Sequence, residues 1–240
     1  MLDILQLIAV TGQPMGLTEI AAEVEMDKTT ASRMLNSLLA RDFVVRDPRS
    51  KEFRVGPGFL GAASAVVSRA EIIRTIQPFM EKLSTETGEL VNLIVRTNFE
   101  RICISTVERF PPLLQRRTLG MRLPLTSGTA GKVILAFLDD EVIDEAIEMH
   151  PPILPEDEFR EQLNVIRQQG YYEDIAEKHR FLGAASVALF NRHGVFGVLN
   201  IVGEIERLDQ AARQELLPRM RDTAARVSRV VSDSHTSFYY

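Results

Sequence analysis

Apolar side chains at Leu2, Ile4, Leu5, Leu7, Ile8 and Val10 recur at helical spacing, and Thr11-Gly12-Gln13-Pro14 ends the run. The pattern is already running at Met1, which leaves open whether an N-terminal arm precedes it. Thr18 is placed to cap a short helix from Glu19 to about Val24, with Ile20, Ala21 and Val24 inward. After Glu25-Met26, Asp27 is a strong cap for a helix from Lys28 to about Arg41. Ala31, Met34, Leu35, Leu38 and Leu39 form its inner face, and Lys28, Thr29, Thr30, Ser32, Arg33 and Asn36 its outer one. Phe43-Val44-Val45-Arg46 and Lys51-Glu52-Phe53-Arg54-Val55 flank the turn Asp47-Pro48-Arg49-Ser50 and read as a hairpin.

Helix, short turn, polar and basic helix, then basic hairpin is the order of a winged helix-turn-helix. The first turns of a recognition helix enter the major groove, where short polar side chains and Arg reach base edges. That assigns Thr29, Thr30, Ser32, Arg33 and Asn36 to bases, and Lys28, Arg49 and Lys51 to phosphates. A merely solvated helix face would explain any one of these residues, but not their conjunction.

Gly56-Pro57-Gly58 breaks the chain and divides it into residues 1–56, a helical linker over 57–88 and a larger domain over 89–240. The linker holds a small apolar helix from Phe59 to about Ser68. A second helix runs from Ile72 to about Thr87, with Ile72, Ile76, Phe79, Met80 and Leu83 on one side. Beyond Gly88, β-rich runs appear at Leu90–Arg96, Ile102–Val107, Ala185–Phe190 and Val195–Val202, with turns at Asn98-Phe99-Glu100 and Asn191–Gly194. Helical patterns intervene at Gly128–Leu138, Asp140–Met149, Pro155–Gln169 and Asp209–Ser232. Strands and helices segregated in this way predict an α+β domain around a central antiparallel sheet.

Composition narrows the setting. The 240 residues are 45% hydrophobic and 25% charged, which is ordinary for a globular chain. The longest apolar stretch, Phe59–Val67, is far short of the ~20 residues that span a bilayer, and no secretory signal is visible, so no membrane partner is expected. One cysteine, Cys103, excludes an internal disulfide and a cysteine zinc cage and fits a reducing cytoplasm. The net charge of −5 argues against nucleic acid until it is resolved along the chain. Residues 1–27 carry five acids and no base, whereas residues 28–54 carry seven bases against three acids, a local balance of +4.

The stretch LTEIAAEVEMDKTTASRMLNSLLARDFVVRDPRSKEFRVG resembles the winged helix-turn-helix of the IclR family of bacterial transcription regulators. The carrying motifs are Leu17-Thr18-Glu19-Ile20-Ala21, the helix from Lys28 through Leu38, and Phe53-Arg54-Val55-Gly56. The resemblance covers nearly the whole chain. It implies a C-terminal GAF-like domain that binds a small effector, a 57–88 segment that joins the domains and helps subunits pair, and assembly as a homodimer or dimer of dimers on a double-stranded operator. Leu123 through Lys132 resembles the family's pocket segment, which implies Leu123, Ser127, Gly128, Thr129 and Ala130 as effector contacts. The opposing strands imply Ala184, Ser186, Asn200 and Val202, and an acid upstream, Asp174 or Glu177, matches a polar pocket residue. The family's usual pair of pocket serines is replaced by Asn200 and Val202, which points to a less polar effector than a very small ketoacid, an organic or aromatic acid. Tight helix packing accounts equally well for the small residues of 127–131.

Catalysis finds little support. The 123–132 segment fails the phosphate-loop pattern, since position 126 is Thr and position 133 is Val. His150, His179, His193 and His235 are scattered without metal spacing, and no cofactor is implied. The acids at 139–141 and 156–158 start helical patterns and serve as caps. A small redox enzyme would need more than Cys103, which lies in an apolar strand. A sensor acting only through protein partners leaves the basic winged segment without a purpose. The sequence therefore predicts a regulator rather than an enzyme, silent on whether it represses or activates.

Overall fold

The computed structural model describes residues 1–60, 71–108, 119–175 and 181–233. The chain divides into two compact units, Met1–Ala70 and Glu71–Tyr240.

The first unit holds α1 (Leu2–Thr11), α2 (Leu17–Glu23), α3 (Lys28–Leu39) and the hairpin β1 (Val44–Arg46) and β2 (Phe53–Val55). Gly12 ends α1 at φ 62°, and its N–H donates to the Ile8 carbonyl. Ile4, Leu5, Ile8, Ile20, Ala21, Ala31, Leu35 and Leu38 interlock with Val44 and Phe53 in one core. Met34 and Leu39, expected inside, are only partly buried and flank it. Two details differ from the sequence reading. α2 begins at Leu17 and is capped by Gly16, whose N–H reaches the Glu19 carboxylate at 3.4 Å, so Thr18 is not its cap. α3 ends at Leu39, where Arg41 and Asp42 fold back on the Leu38 and Leu39 carbonyls. Met15 and Phe53 exchange backbone hydrogen bonds of 3.0 and 2.8 Å, which adds a third short rung to the hairpin.

The second unit begins with α4 (Glu71–Thr87). It continues through β3 (Leu90–Thr97), β4 (Glu100–Val107), β5 (Arg122–Pro124), α5 (Gly128–Leu135), α6 (Asp140–Met149) and α7 (Glu156–Gln169). It closes with β6 (Tyr171–Ile175), β7 (Leu182–Asn191), β8 (Gly194–Glu204) and α8 (Gln210–Asp233). The strands form one antiparallel sheet in the order β5-β4-β3-β8-β7-β6. The expected apolar helix at Phe59–Ser68 falls largely outside the described residues. α4 packs on β3, β4 and α8 through buried Ile72, Ile76, Met80 and Leu83, so it belongs to the compact body of this unit. α4 and α8 cover one sheet face, and α5 crosses the other with α6 and α7 behind it. Covering on both sides explains why β7, Leu182 to Leu189, is buried at every residue rather than at alternate ones. β5 and β6 are strands that the hydrophobic pattern did not reveal.

Candidate functional site

Two surfaces carry the chemistry. On the first unit, the Asp27 carboxylate accepts the Thr30 N–H at 2.9 Å, closing the start of α3. Contacts with Thr30 hold the Asp27 carboxyl below its usual range, with the Arg33 charge adding to them. The Thr30 backbone closes the cap, and the residue itself is half-buried. Lys28, Thr29, Arg33 and Asn36 are exposed, and Ser32 is half-buried. In the wing, the Asp47 carboxylate accepts the Arg49 and Ser50 N–H groups at 2.8 and 2.9 Å and pairs with Arg54 at 3.2 Å. Arg46 lies over the Phe53 ring and donates to the Lys51 carbonyl at 3.0 Å. These contacts fix the turn and leave Arg49 and Lys51 exposed at its tip. Among the described residues, Lys28, Arg33, Arg49 and Lys51 form no ion pair.

The cap makes a prediction. A carboxyl whose pKa is depressed on folding contributes stability above its unfolded value, 3.8 for Asp27, and loses it as the pH falls through the lower folded value. Asp27→Ala is expected to destabilise the first unit at neutral pH, and by less at a pH below both values, where the protonated carboxyl remains only a neutral acceptor. Urea melts at the two pH values check this, and an equal loss at both would remove the cap as the cause.

On the second unit, the register brings distant residues into two adjacent rows. Tyr172, Ser186, Asn200 and Asn92 lie side by side across β6, β7, β8 and β3. Asp174, Ala184 and Val202 form the next row. α5 crosses over the first row. Thr129 Oγ1 and Ser186 Oγ are 2.9 Å apart, and Asn200 Nδ2 lies 3.0 Å from Ser186 Oγ and 3.4 Å from Thr129 Oγ1. Asn200 also donates to the Ala185 carbonyl at 3.3 Å and accepts from Asn92 Nδ2 at 3.3 Å. All four side chains are at least 95% buried. The structure thus joins Thr129, Ser186 and Asn200 directly and sets Ala184 and Val202 beside them. Asp174 is farther out, on the edge strand two strands from Val202, roughly 10 Å away. Glu177 lies outside the described residues.

The small residues of the β5–α5 turn have separable reasons. A Cβ on Gly131 would stand 2.5 Å from the Leu125 carbonyl oxygen, so Gly131 is required for packing. Gly128 begins α5 at φ 63°, and a Cβ there would stand 2.7 Å from the Arg101 guanidinium. Ser127 turns its hydroxyl back to the Pro124 carbonyl at 3.1 Å and does not cap α5. Leu123 is half-buried at the sheet edge opposite Arg101, while buried Ala130 belongs to the apolar core.

Sequence reasoning missed Asn92, Arg101, Lys132 and Tyr172. Asn92 was legible as a polar interruption in the apolar run LVNLIVR. Lys132 is 4% exposed with Nζ 5.4 Å from the Tyr172 ring centroid, and the Tyr172 hydroxyl donates to Asp174 at 2.8 Å. Cys103 is buried, and desolvation pushes its thiol up to about 12, which leaves it protonated and unreactive at neutral pH. Among the described residues, no group of His, Cys, Asp and Glu is placed to hold a metal ion.

Comparison with known proteins now decides the family. The profile described as "Bacterial transcriptional regulator IclR C-terminal" matches residues 64–229, and that of the "IclR helix-turn-helix domain" matches residues 1–48. The chain belongs to the IclR family. The transcriptional repressor AllR of Salmonella typhimurium is 28% identical over 233 residues, covering 94% of this chain and 86% of AllR. The crystal structure of an IclR regulator from Alicyclobacillus acidocaldarius superposes with a TM-score of 0.82 at 21% identity, over 96% of this chain and 97% of that one. An IclR homologue from Microbacterium hydrocarbonoxydans, solved with 4-hydroxybenzoate, gives 0.79 at 16% identity over 97% and 98%. This IclR-family chain is therefore a transcriptional regulator and not an enzyme, with an N-terminal helix-turn-helix for DNA and a C-terminal antiparallel-sheet domain. No described helix is long and apolar enough to cross a membrane.

Proposed function

We propose that this regulator binds a double-stranded operator and releases or reshapes it when an organic acid occupies the second unit. The observation that carries the DNA half is the exposed basic edge. Lys28 and Arg33 on a capped helix, and Arg49 and Lys51 on a pinned turn, are exposed and form no ion pair among the described residues. Thr29, Ser32, Arg33 and Asn36 face bases, and Lys28, Arg49 and Lys51 face phosphates. A single winged unit with so few contacts binds weakly, so two copies on adjacent half-sites, a homodimer or a dimer of dimers, supply the affinity. The DNA places this action in the cytoplasm, and the AllR likeness favours repression.

The effector half rests on hydrogen-bond accounting. The Thr129 and Ser186 hydroxyls hold two hydrogens, and one serves the bond between them. Among the described residues the other has no acceptor. With the Arg101 guanidinium against Gly128 at the uncapped start of α5, this favours a ligand oxygen bearing negative charge. The Microbacterium relative makes 4-hydroxybenzoate the first compound to titrate.

The test is a gel shift with DNA flanking the protein's own gene, at two salt concentrations. Wild type is expected to bind selectively and to weaken steeply with salt. Arg33→Ala is expected to lose about 1–3 kcal/mol, roughly 5- to 150-fold, and to relax sequence preference. Equal selectivity in that variant would remove Arg33 as a reader.

A further inference from the structure

The wing carries a further exposed cation, Arg54. It pairs with Val45 across the hairpin, on the face opposite buried Val44 and Phe53, and its side chain is 53% exposed. Its Nη2 donates to Asp47 Oδ2 at 3.2 Å. The other oxygen of the same carboxylate, Oδ1, accepts the Arg49 and Ser50 N–H groups at 2.8 and 2.9 Å. Asp47 therefore has two separable roles. One oxygen folds the turn that presents Arg49, and the other holds the Arg54 guanidinium back against that turn.

The backbone supports the turn independently of Arg54. The Asp47 N–H donates to the Glu52 carbonyl at 2.8 Å, and the Lys51 N–H donates to the Asp47 carbonyl at 3.0 Å. Lys51 itself stands at φ 64°, with its carbonyl accepting from Arg46. The Ser50 and Arg49 N–H groups hold the Asp47 carboxyl below its usual range, with the Arg54 and Lys51 charges adding to them, so it is ionised at neutral pH. An ionised carboxylate repels a nearby phosphate and occupies the guanidinium that the phosphate would engage. The pair is solvated, so its hold on Arg54 is no stronger than that of a surface bridge.

We propose that, on the reading of the wing as a phosphate contact, Arg54 is a further phosphate-binding residue that Asp47 withholds, which limits the sequence-independent share of DNA affinity. Phosphates carry no sequence information, so a weaker backbone contribution leaves selection to the base-facing side chains of α3. Asn and Ser close the same kind of turn without a charge, so Asp47→Asn and Asp47→Ser keep the first role and lose the second. Asp47→Ala loses both.

The experiment is a fluorescence-anisotropy titration of the full chain with a labelled duplex of scrambled sequence, at roughly 50 and 200 mM salt. Asp47→Asn is expected to bind about two- to fivefold tighter than wild type at the lower salt. Between the two salts it is expected to lose about three- to fourfold more affinity than wild type does, the effect of one added phosphate contact. Asp47→Ser is expected to follow it, and Asp47→Ala to bind more weakly than either. The added salt dependence is expected to vanish when Asp47→Asn is made in an Arg54→Met chain. Thermal melts check that each variant is folded. An equal gain in both backgrounds would overturn the proposal, because the carboxylate would then act by its charge alone and withhold no contact. Asp47→Asn and Asp47→Ser binding no tighter than a wild type that does bind the duplex would overturn it and leave the DNA reading standing. A wild type that binds no duplex at the lower salt would overturn that reading together with the proposal.

Discussion

Arg213→Met is expected to destabilise the second unit by about 3–5 kcal/mol, the usual effect of removing one member of a buried ion pair. Arg213 sits in the first turn of α8 and is 5% exposed. Its Nε bonds to Glu173 on β6, and its Nη1 donates to the Leu208 carbonyl at 2.8 Å. Gly183 leaves the room, since a Cβ there would stand 3.0 Å from Nη1 and 2.2 Å from the Leu208 oxygen. Methionine fills much of the stem's volume but strands the Glu173 carboxylate, whose side chain is only 15% exposed. Replacing both members, Arg213→Met with Glu173→Leu, is expected to recover most of the loss, because two apolar groups need no partner. Urea denaturation of the two single variants and the double one measures the coupling. A single-variant loss under about 1 kcal/mol would class the pair with solvated surface bridges.

That ion pair shows why β6 matters and why the hydrophobic pattern did not reveal it. Tyr171-Tyr172-Glu173-Asp174-Ile175 alternates between two covered faces, sending Tyr172 and Asp174 toward α5 and α7 and Glu173 toward α8. Its polar residues are satisfied by partners 10 to 40 positions away, Gln162 and Arg213, which no local window contains. The winged unit was legible for the opposite reason. Asp27 caps a residue three positions on, Asp47 pins its own turn, and Ala31, Leu35 and Leu38 repeat at helical spacing. The misplaced Thr18 cap is local too. Two acceptable starts lay within three residues, and the Gly16 N–H donating to the Glu19 carboxylate decided between them. For the buried polar cluster, the resemblance named Thr129, Ser186 and Asn200. Their mutual bonds, and the arrival of Asn92 from 108 positions away, required the sheet register.

Asn200→Leu is expected to cost about 2–4 kcal/mol, from two or more buried groups losing partners at roughly 1–3 kcal/mol each. Asn200 is 4% exposed and serves both sides of the cluster. Its Oδ1 is the acceptor for Asn92 Nδ2, and its Nδ2 reaches the Ala185 carbonyl and Ser186 Oγ. Leucine removes these three bonds and the 3.4 Å bond to Thr129 Oγ1. Thr129 and Ser186 retain each other at 2.9 Å, so the main orphans are the Asn92 amide, 1% exposed, and the Ala185 carbonyl. Adding Asn92→Leu removes the first orphan and is expected to return about 1 kcal/mol or more, a coupling that denaturant melts of the four combinations resolve. Additive losses would mean that the Asn92–Asn200 bond carries no stability of its own. The same variant separates the two units in function. α3 and the wing are built from residues 28–55 and owe nothing to Asn200, so operator binding is expected to persist where the chain remains folded. The response to 4-hydroxybenzoate is expected to disappear, because the amide that holds the Thr129–Ser186 pair is gone. Loss of operator binding in a folded Asn200→Leu chain would instead mean that this cluster already sets the DNA-binding state without ligand.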